Sequence, residues 1–151
     1  MASSKFEIEK SEDFKSIAEF LRQNFKNHNL KFDEKYVKIS LNSGLWLIAK
    51  NKETVLGTLF LKVIKSDSRG EIKHLLVRKE HRRNGIARSV LNESINLAKK
   101  MRLRKLTGFG SSRDIGVVKK LASSFGCKLE GILKDHYRAG EDCYVYSKFL
   151  D

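Results

Sequence analysis

An apolar strand that feeds straight into a basic, glycine-containing turn and then a long amphipathic helix constrains this chain more than any other feature. The strand is Gly70-Glu-Ile-Lys-His-Leu-Leu-Val77, and the turn is Arg78-Lys-Glu-His-Arg-Arg-Asn-Gly-Ile-Ala-Arg88. From Ile86 to Met101 the positions Ile86, Ala87, Val90, Leu91, Ile95 and Ala98 fall on one face, with Arg88, Asn92, Lys99 and Lys100 elsewhere, which predicts a helix. A helix amino terminus presents unpaired backbone N–H groups and a partial positive charge, and so makes a ready phosphate site. Gly85 leaves room for a phosphate to approach the backbone there, and Arg82, Arg83 and Arg88 add charge.

The remaining elements follow from periodicity. Lys5 to Lys10 alternates as a short half-buried strand; Ser11 is placed to cap a helix from Glu12 to Phe25, and a weaker helical pattern runs from Phe32 to Leu41. Leu45–Ala49 and Thr54–Ile64 read as strands joined by a tight turn at Asn51-Lys-Glu53. After the helix, Lys105–Phe109 is a short strand, and Asp114 to Phe125 a helix ending at Gly126. Cys127–Leu133 and Cys143–Phe149 are two further strands flanking a polar turn, Lys134 to Asp142. This predicts an α/β architecture with a mixed sheet. With no spacer or low-complexity tract, residues 1–151 read as a single domain.

Charge and composition narrow the functional classes. The net charge is +13, and between Lys73 and Lys105 eleven Lys/Arg face two acids, Glu80 and Glu93. Such a patch can attract a polyphosphate cofactor, an acidic protein, or nucleic acid including a ribosomal surface, and its position predicts positive potential around the phosphate turn. No apolar run approaches the roughly 20 residues that span a bilayer, and Met1-Ala-Ser-Ser-Lys-Phe-Glu lacks the apolar core of a signal peptide, so a cytoplasmic, non-membrane protein is expected. Cys127 and Cys143 form no CxxC pair, which argues against structural zinc. They are expected as two buried thiols, with pairing under oxidation as the alternative, and no metal site is expected.

The hexamer Arg82-Arg-Asn-Gly85-Ile-Ala87 fits the Arg/Gln-x-x-Gly-x-Gly/Ala signature of the GNAT superfamily, the general N-acetyltransferases. Val77 sits five residues before Arg82, as in that family, and the element order resembles its fold over essentially the whole chain. The segment from Gly70 to Ala87 and the tail Tyr137-Arg-Ala-Gly-Glu-Asp-Cys-Tyr144 look like the catalytic subunits of protein amino-terminal and ribosomal-protein alanine acetyltransferases. The resemblance implies a GNAT fold, with a mostly antiparallel sheet of about seven strands flanked by about four helices. It also implies acetyl-CoA as donor, bound by the main chain of Leu75, Leu76 and Val77 and by the turn Arg82, Arg83, Asn84, Gly85, Ile86, Ala87 and Arg88. A protein amino terminus is the first choice of acceptor, a lysine side chain the second and a small amine the third. A basic nucleic-acid-binding module on the same fold is the alternative class.

The chemistry sets what to look for. Acetyl transfer requires a neutral amine, an oxyanion donor and a proton for the departing thiolate. Deprotonating a lysine at pH 7 costs roughly 4 to 5 kcal/mol and an α-amine about 1 kcal/mol, so a lysine acetyltransferase needs a positioned base more. By resemblance, Glu71 holds the position of a glutamate base; otherwise it is a strand-end carboxylate paired with a lysine. His74 lies an odd number of residues from Glu71 and in a regular strand points to the opposite face, as a packed or surface residue. Tyr137 matches the family tyrosine that acts as thiolate acid, the other reading being an aromatic that closes the hairpin. Glu141 and Asp142 match the tail pattern and are candidates for binding the acceptor amine, or else solvated turn acids.

One segment departs from the pattern. Relatives carry Asn-x-x-Ala-x-x-Leu-Tyr after the fifth strand, whereas this chain has Ser111-Ser-Arg-Asp-Ile-Gly116, and Ala122 where the tyrosine falls. Asp114 or Ser112 could replace the asparagine, although an Asp or Ser before a helix is commonly its cap. The acid role then moves onto Tyr137.

Overall fold

A computed structural model describes residues 5–25 and 32–150. Its centre is one seven-stranded sheet in the order β1-β2-β3-β4-β5-β7-β6. The strands are β1 (Glu7–Ser11), β2 (Gly44–Asn51), β3 (Thr54–Ile64), β4 (Arg69–Val77), β5 (Lys105–Ser111), β6 (Lys128–Arg138) and β7 (Glu141–Phe149). Helices α1 (Phe14–Asn24) and α2 (Glu34–Ser40) precede β2, α3 (Ile86–Lys100) joins β4 to β5, and α4 (Ile115–Ser124) joins β5 to β6. Only β4 and β5 pair in parallel; every other pairing is antiparallel. The mixed seven-stranded sheet with four helices is the expected fold.

Each face of the sheet carries its own core. On one, Leu47, Leu59, Leu61 and Leu106 pack against Ile86, Val90, Ile95 and Ala98 of α3. On the other, Ile17, Phe20, Leu21 and Val37 of α1 and α2 cover Trp46, Ile48 and Phe60. The alternating side chains of the strands serve both layers, which is why β2 and β3 read as nearly continuous apolar runs. α4 lies on the α3 side, directly over Gly110, where a Cβ would come within 2.5 Å of a Val118 methyl.

Several boundaries differ from the sequence reading for identifiable reasons. Helix α1 begins at Phe14 with Asp13 as its cap, because the Asp13 carboxylate accepts from both the amide and the hydroxyl of Ser16, whereas Ser11 ends β1. The polar segment after Leu133 is not a long turn. β6 continues to Arg138 and only Ala139-Gly140 turns, since Asp135 takes up a left-handed φ of 50° and the ladder resumes at Arg138–Glu141. The thiols of Cys127 and Cys143 are both free, and Cys127 is half-buried rather than buried. The basic run between Lys73 and Lys105 does not gather at one place. α3, of 15 residues, holds Arg88 at its start and Lys99 and Lys100 at its end, about 17 Å apart along the axis. The turn therefore keeps Arg82, Arg83 and Arg88, while Lys99, Lys100, Arg102, Arg104 and Lys105 sit at the far end.

Candidate active site

β4 and β5 pair only from Arg69–Lys105 to Ile72–Gly108. Beyond that point both strands continue without pairing to each other, β4 to Val77 and β5 to Ser111. The sheet therefore opens in the middle, and the β5-facing edge of β4 has no ladder partner along Lys73–Val77. An unpaired strand edge offers N–H and C=O groups to an extended ligand. The side chains of Leu75 and Val77 pack into the α3 layer and that of Leu76 into the α1–α2 layer.

The turn at the end of β4 is held by its own polar groups. Arg82 Nε donates to the carbonyl of Val77 at 3.2 Å, and Asn84 Nδ2 donates to the carbonyl of His81 at 3.1 Å. Arg83 and Gly85 adopt left-handed φ values of 67° and 79°. Gly85 caps α3, and the first helical bond runs from the Ser89 amide to its carbonyl at 2.9 Å. Helix geometry thus leaves the amides of Ile86, Ala87 and Arg88 without intrahelical acceptors, next to the positive end of the helix dipole. No protein atom lies within 4 Å of a Cβ built on Gly85, so the space before these amides is open. Glycine is required by the backbone angle, and protein crowding plays no part. Alongside, Arg88, Ser89, Asn92 and Phe125 line a shallow cleft between α3 and the end of α4, with the Arg88 guanidinium 5.8 Å from the Phe125 ring centre. A larger hollow at Lys5, Glu7, Lys50 and Lys52 lies at the β1 edge, away from the opening.

The carboxylates and hydroxyls collect on the other face. Gly70 and Ile72 point into the α3 layer, so Glu71 points to the α1–α2 side. Its carboxylate lies 2.8 Å from Arg69 Nη1 and 3.9 Å from Lys73 Nζ. His74 does not obey the alternation expected of it. Phe60 pairs with Lys73 and Thr58 with Leu76, so Leu59 opposes two residues of β4, and His74 has a φ of 53°. This bulge returns the His74 side chain to the face of Glu71, among Trp46, Phe60, Phe32 and Tyr36. The buried hydroxyl of Thr58 donates to the displaced His74 carbonyl at 2.9 Å. Burial first, and Lys73 second, push the imidazole down to about 4.

Tyr137, Cys143 and Glu141 stand on this same face. Ser111 pairs with Cys143 and Thr107 with Ser147, the latter two hydroxyls 3.0 Å apart, whereas Leu106 and Gly110 face α3 and α4. The Tyr137 hydroxyl donates to Cys143 Sγ at 3.5 Å, and burial raises its pKa above the ordinary phenol value. Glu141 is buried; Ser111 Oγ donates to its Oε2 at 2.6 Å, and Arg113 Nε and Arg138 Nε each lie 3.1 Å from Oε1. Asp142 accepts from Lys134 Nζ and the Asp135 amide, both at 2.9 Å. Asp142 is therefore engaged within the hairpin, and Glu141 both within it and with the end of β5 and the approach to α4.

In the segment that departs from the family pattern, Ser112 Oγ accepts from the Asp142 amide at 2.9 Å, and Asp114 makes no side-chain cap bond at the start of α4. Tyr36 and Phe109 also border this face, both partly exposed. Sequence reasoning passed over them, because a partly exposed aromatic within an apolar pattern is indistinguishable from core. Among the described residues no group of His, Cys, Asp and Glu could hold a metal ion, and no helix is long and apolar enough to cross a membrane.

Residues 9–114, from β1 to the start of α4, match the model of the acetyltransferase (GNAT) family. The chain belongs to that family. It is an acetyltransferase, moving an acetyl group to an amine. The chain has no match among curated protein sequences. Its fold is similar to the ribosomal-protein-S18-alanine N-acetyltransferase of Escherichia coli (TM-score 0.83, 15% identity, covering 97% of this chain and 95% of that one). It is also similar to the ribosomal-protein-alanine N-acetyltransferase of Brucella melitensis (0.82, 18%, 95% and 99%). The aminoglycoside 6'-N-acetyltransferase of Enterococcus faecium is nearly as similar (0.80, 12%, 95% and 96%). The acetyltransferase fold is thus shared by enzymes whose acceptors differ widely, and the β6–β7 hairpin with Tyr137 lies beyond the matched residues.

Proposed function

We propose that this acetyltransferase binds acetyl-CoA in the opening between β4 and β5 and transfers its acetyl group to a protein amino terminus, by direct attack of the amine in a ternary complex. The observation that carries the donor half is the conjunction of an unpaired β4 edge with an open, left-handed Gly85 turn heading α3. The turn fits a pyrophosphate. Amides from Arg83 to Arg88 would cradle it, Arg82, Arg83 and Arg88 would neutralise charge, and the main chain of Leu75, Leu76 and Val77 would take the pantetheine arm as an added strand. Acetyl-CoA supplies an activated acetyl group on a thiol leaving group.

With the donor's phosphates on the α3 side, the amine approaches from the α1–α2 side, where Glu71, His74 and Tyr137 collect. Tyr137 is the acid for the departing thiolate: it is protonated throughout the neutral range and already directs its proton at a sulphur. Glu71 receives the proton of the incoming ammonium, a light task for an α-amine. Glu141 and Asp142 serve the acceptor by holding the hairpin that carries Tyr137. Residues 1–151 act as one N-acetyltransferase domain in the cytoplasm, and the two basic ends of α3 are available to an acidic or ribosomal surface.

Acetyl-CoA should raise the melting temperature of the wild type, and Gly85→Glu should abolish that shift. Turnover against amino-terminal peptides, lysine peptides and polyamines then ranks the acceptors. Nucleic-acid binding that survives Gly85→Glu, with no acetyl-CoA shift in the wild type, would sink the donor site in favour of a basic binding module.

A further inference from the structure

Tyr36 and His74 come from segments 38 residues apart and meet at 2.8 Å, phenol oxygen to imidazole Nε2. The His74 side chain did not get there by the default geometry of its strand. His74 reaches this face only through the β4 bulge, whose left-handed residue is a histidine rather than a glycine. A bulge is a device for re-aiming a side chain. The ring is then fixed from several directions: Trp46 stacks on it at 5.6 Å and 11°, and Phe32 meets it edge-on at 5.2 Å. Trp46 is fully buried and is anchored in turn by Nε1 donating to Ser40 Oγ at 2.8 Å. So much support on a single ring fixes its partner as well, and that partner is the hydroxyl of Tyr36, a partly exposed residue of α2.

We propose that His74 is a positioning residue that accepts the Tyr36 hydroxyl proton at Nε2, leaving only the lone pairs of the phenol oxygen to meet the acceptor. A hydroxyl has one proton and two lone pairs. With the proton committed to His74, Tyr36 can bind only hydrogen-bond donors, such as a peptide N–H, and rejects groups that offer only acceptor oxygens. The imidazole stays unprotonated at neutral pH, because burial and Lys73 both oppose its charging, so this polarity is constant. Tyr36 stands off the β4 backbone by the length of the His74 side chain. Its oxygen therefore meets an N–H beyond the reacting nitrogen, as the backbone of a peptide supplies and a simple amine does not. The inference rests on the reading of the acceptor as a peptide and names the residue that recognises it.

Steady-state kinetics on the full chain tests this with two probes, a peptide with a free amino-terminal alanine and 2-phenylethylamine, each measured as substrate or as competitive inhibitor. Tyr36→Phe should raise the peptide KM about five- to tenfold, the worth of one hydrogen bond. The constants for 2-phenylethylamine and acetyl-CoA should stay unchanged. His74→Phe keeps the aromatic ring and should give the same selective loss, His74→Gln should recover part of it, and the Tyr36→Phe/His74→Phe pair should be no worse than either single change. Nitrogen-15 NMR should show the His74 ring neutral with its proton on Nδ1. An unchanged peptide KM in Tyr36→Phe, an equal rise for both probes, multiplicative losses in the double variant, or a proton on Nε2 would overturn the assignment. Absence of peptide turnover by the wild type would overturn the peptide reading and this inference together, whereas normal turnover with an unaffected Tyr36→Phe would overturn this inference alone.

Discussion

The hydroxyl of Tyr137 donates to the sulphur of Cys143, 3.5 Å away, across a hairpin closed by Ala139-Gly140. A phenol in a partly buried site, bonded to a thiol, holds its proton more firmly than a free tyrosine does. The group therefore stays protonated at neutral pH, and although it is a weaker acid than a free phenol, it can give up its proton once a base stronger than a neutral thiol, the departing thiolate, forms beside it. Tyr137→Phe should lower kcat by about 100-fold, the lower end of what a positioned acid contributes, with little change in melting temperature. Because the folded phenol titrates above its ordinary value, the rate should show no alkaline fall assignable to Tyr137 below about pH 10. Unaltered turnover in the variant would remove the residue as the acid.

Gly85→Ala separates backbone strain from ligand fit. The new Cβ meets no protein atom, yet the left-handed φ of 79° costs an alanine about 1 kcal/mol. Thermal melting should fall by about 2 to 4 °C. The KM for acetyl-CoA should rise well beyond what that small destabilisation explains, because the methyl group points into the space where the donor's phosphates are proposed to lie. Isothermal titration with acetyl-CoA measures the second effect directly.

His74 makes the fold sensitive to acid. Its imidazole titrates at about 4 in the folded protein against an ordinary value of 6.5, so the unfolded chain binds the extra proton across that window. Stability is unaffected by this group above about pH 6.5 and is lost as pH falls from there towards 4, by about 3 kcal/mol in all. Lys73 adjoins the ring on β4 and reinforces the effect, and the neutral Tyr36 hydroxyl faces it from α2. His74→Phe should flatten the denaturant midpoint over this range, while leaving the lower-pH loss that comes from carboxylates such as Asp13, whose capping bonds depress its pKa. Identical pH profiles in wild type and variant would mean that the ring is protonated in the folded state.

Glu141 ties three segments together: Ser111 at the end of β5, Arg113 just before α4, and Arg138 on β6. The carboxylate is buried, whereas its arginine partners are half-exposed or exposed, so water screens part of the interaction. Glu141→Gln should therefore cost about 1 to 2 kcal/mol, below the value of a fully buried pair. Since the same hairpin carries Tyr137, kcat should fall more than the acetyl-CoA KM rises. Equal changes in the two constants would argue that the hairpin also touches the donor.

Gly110 is the floor on which α4 rests. A methyl group there would enter the Val118 side chain at 2.5 Å, and Val118 belongs to a helix whose own buried contribution is small. Gly110→Ala should cost about 1 to 3 kcal/mol through overpacking. Hydrogen exchange should show the loss concentrated in α4, with α3 unaffected.

The proposed phosphate turn was legible because its parts are local: the strand, the glycine and the helix are contiguous, and 3.6-residue periodicity places α3 almost to the residue. The order of all seven strands and four helices followed from the same patterns. The bulge at His74 was not legible. A histidine gives no local sign of a left-handed angle, and the alternation rule therefore assigned its side chain to the wrong face. The length of the β6–β7 hairpin was hidden by polar residues, Lys134 to His136, that composition reads as turn although they occupy an exposed edge strand. The proposed acceptor side draws Tyr36, Glu71, His74, Phe109 and Tyr137 from four separate elements, and only the tertiary fold brings them onto one surface.

The Arg82 bond to the carbonyl of Val77 has a consequence for donor choice. It ties the proposed anion-binding turn to the last residue of the strand, so the span from the parting of β4 and β5 at Ile72 to the turn is set by Lys73–Val77, whose bulge at His74 shortens it to four ladder steps, about 13 Å. β4 then works as a ruler with a fixed stop at each end. An acyl carrier whose arm is a few atoms too short could satisfy the phosphate stop or present its thioester at the fork, but not both, so the enzyme would select its donor by length before any acyl group is inspected.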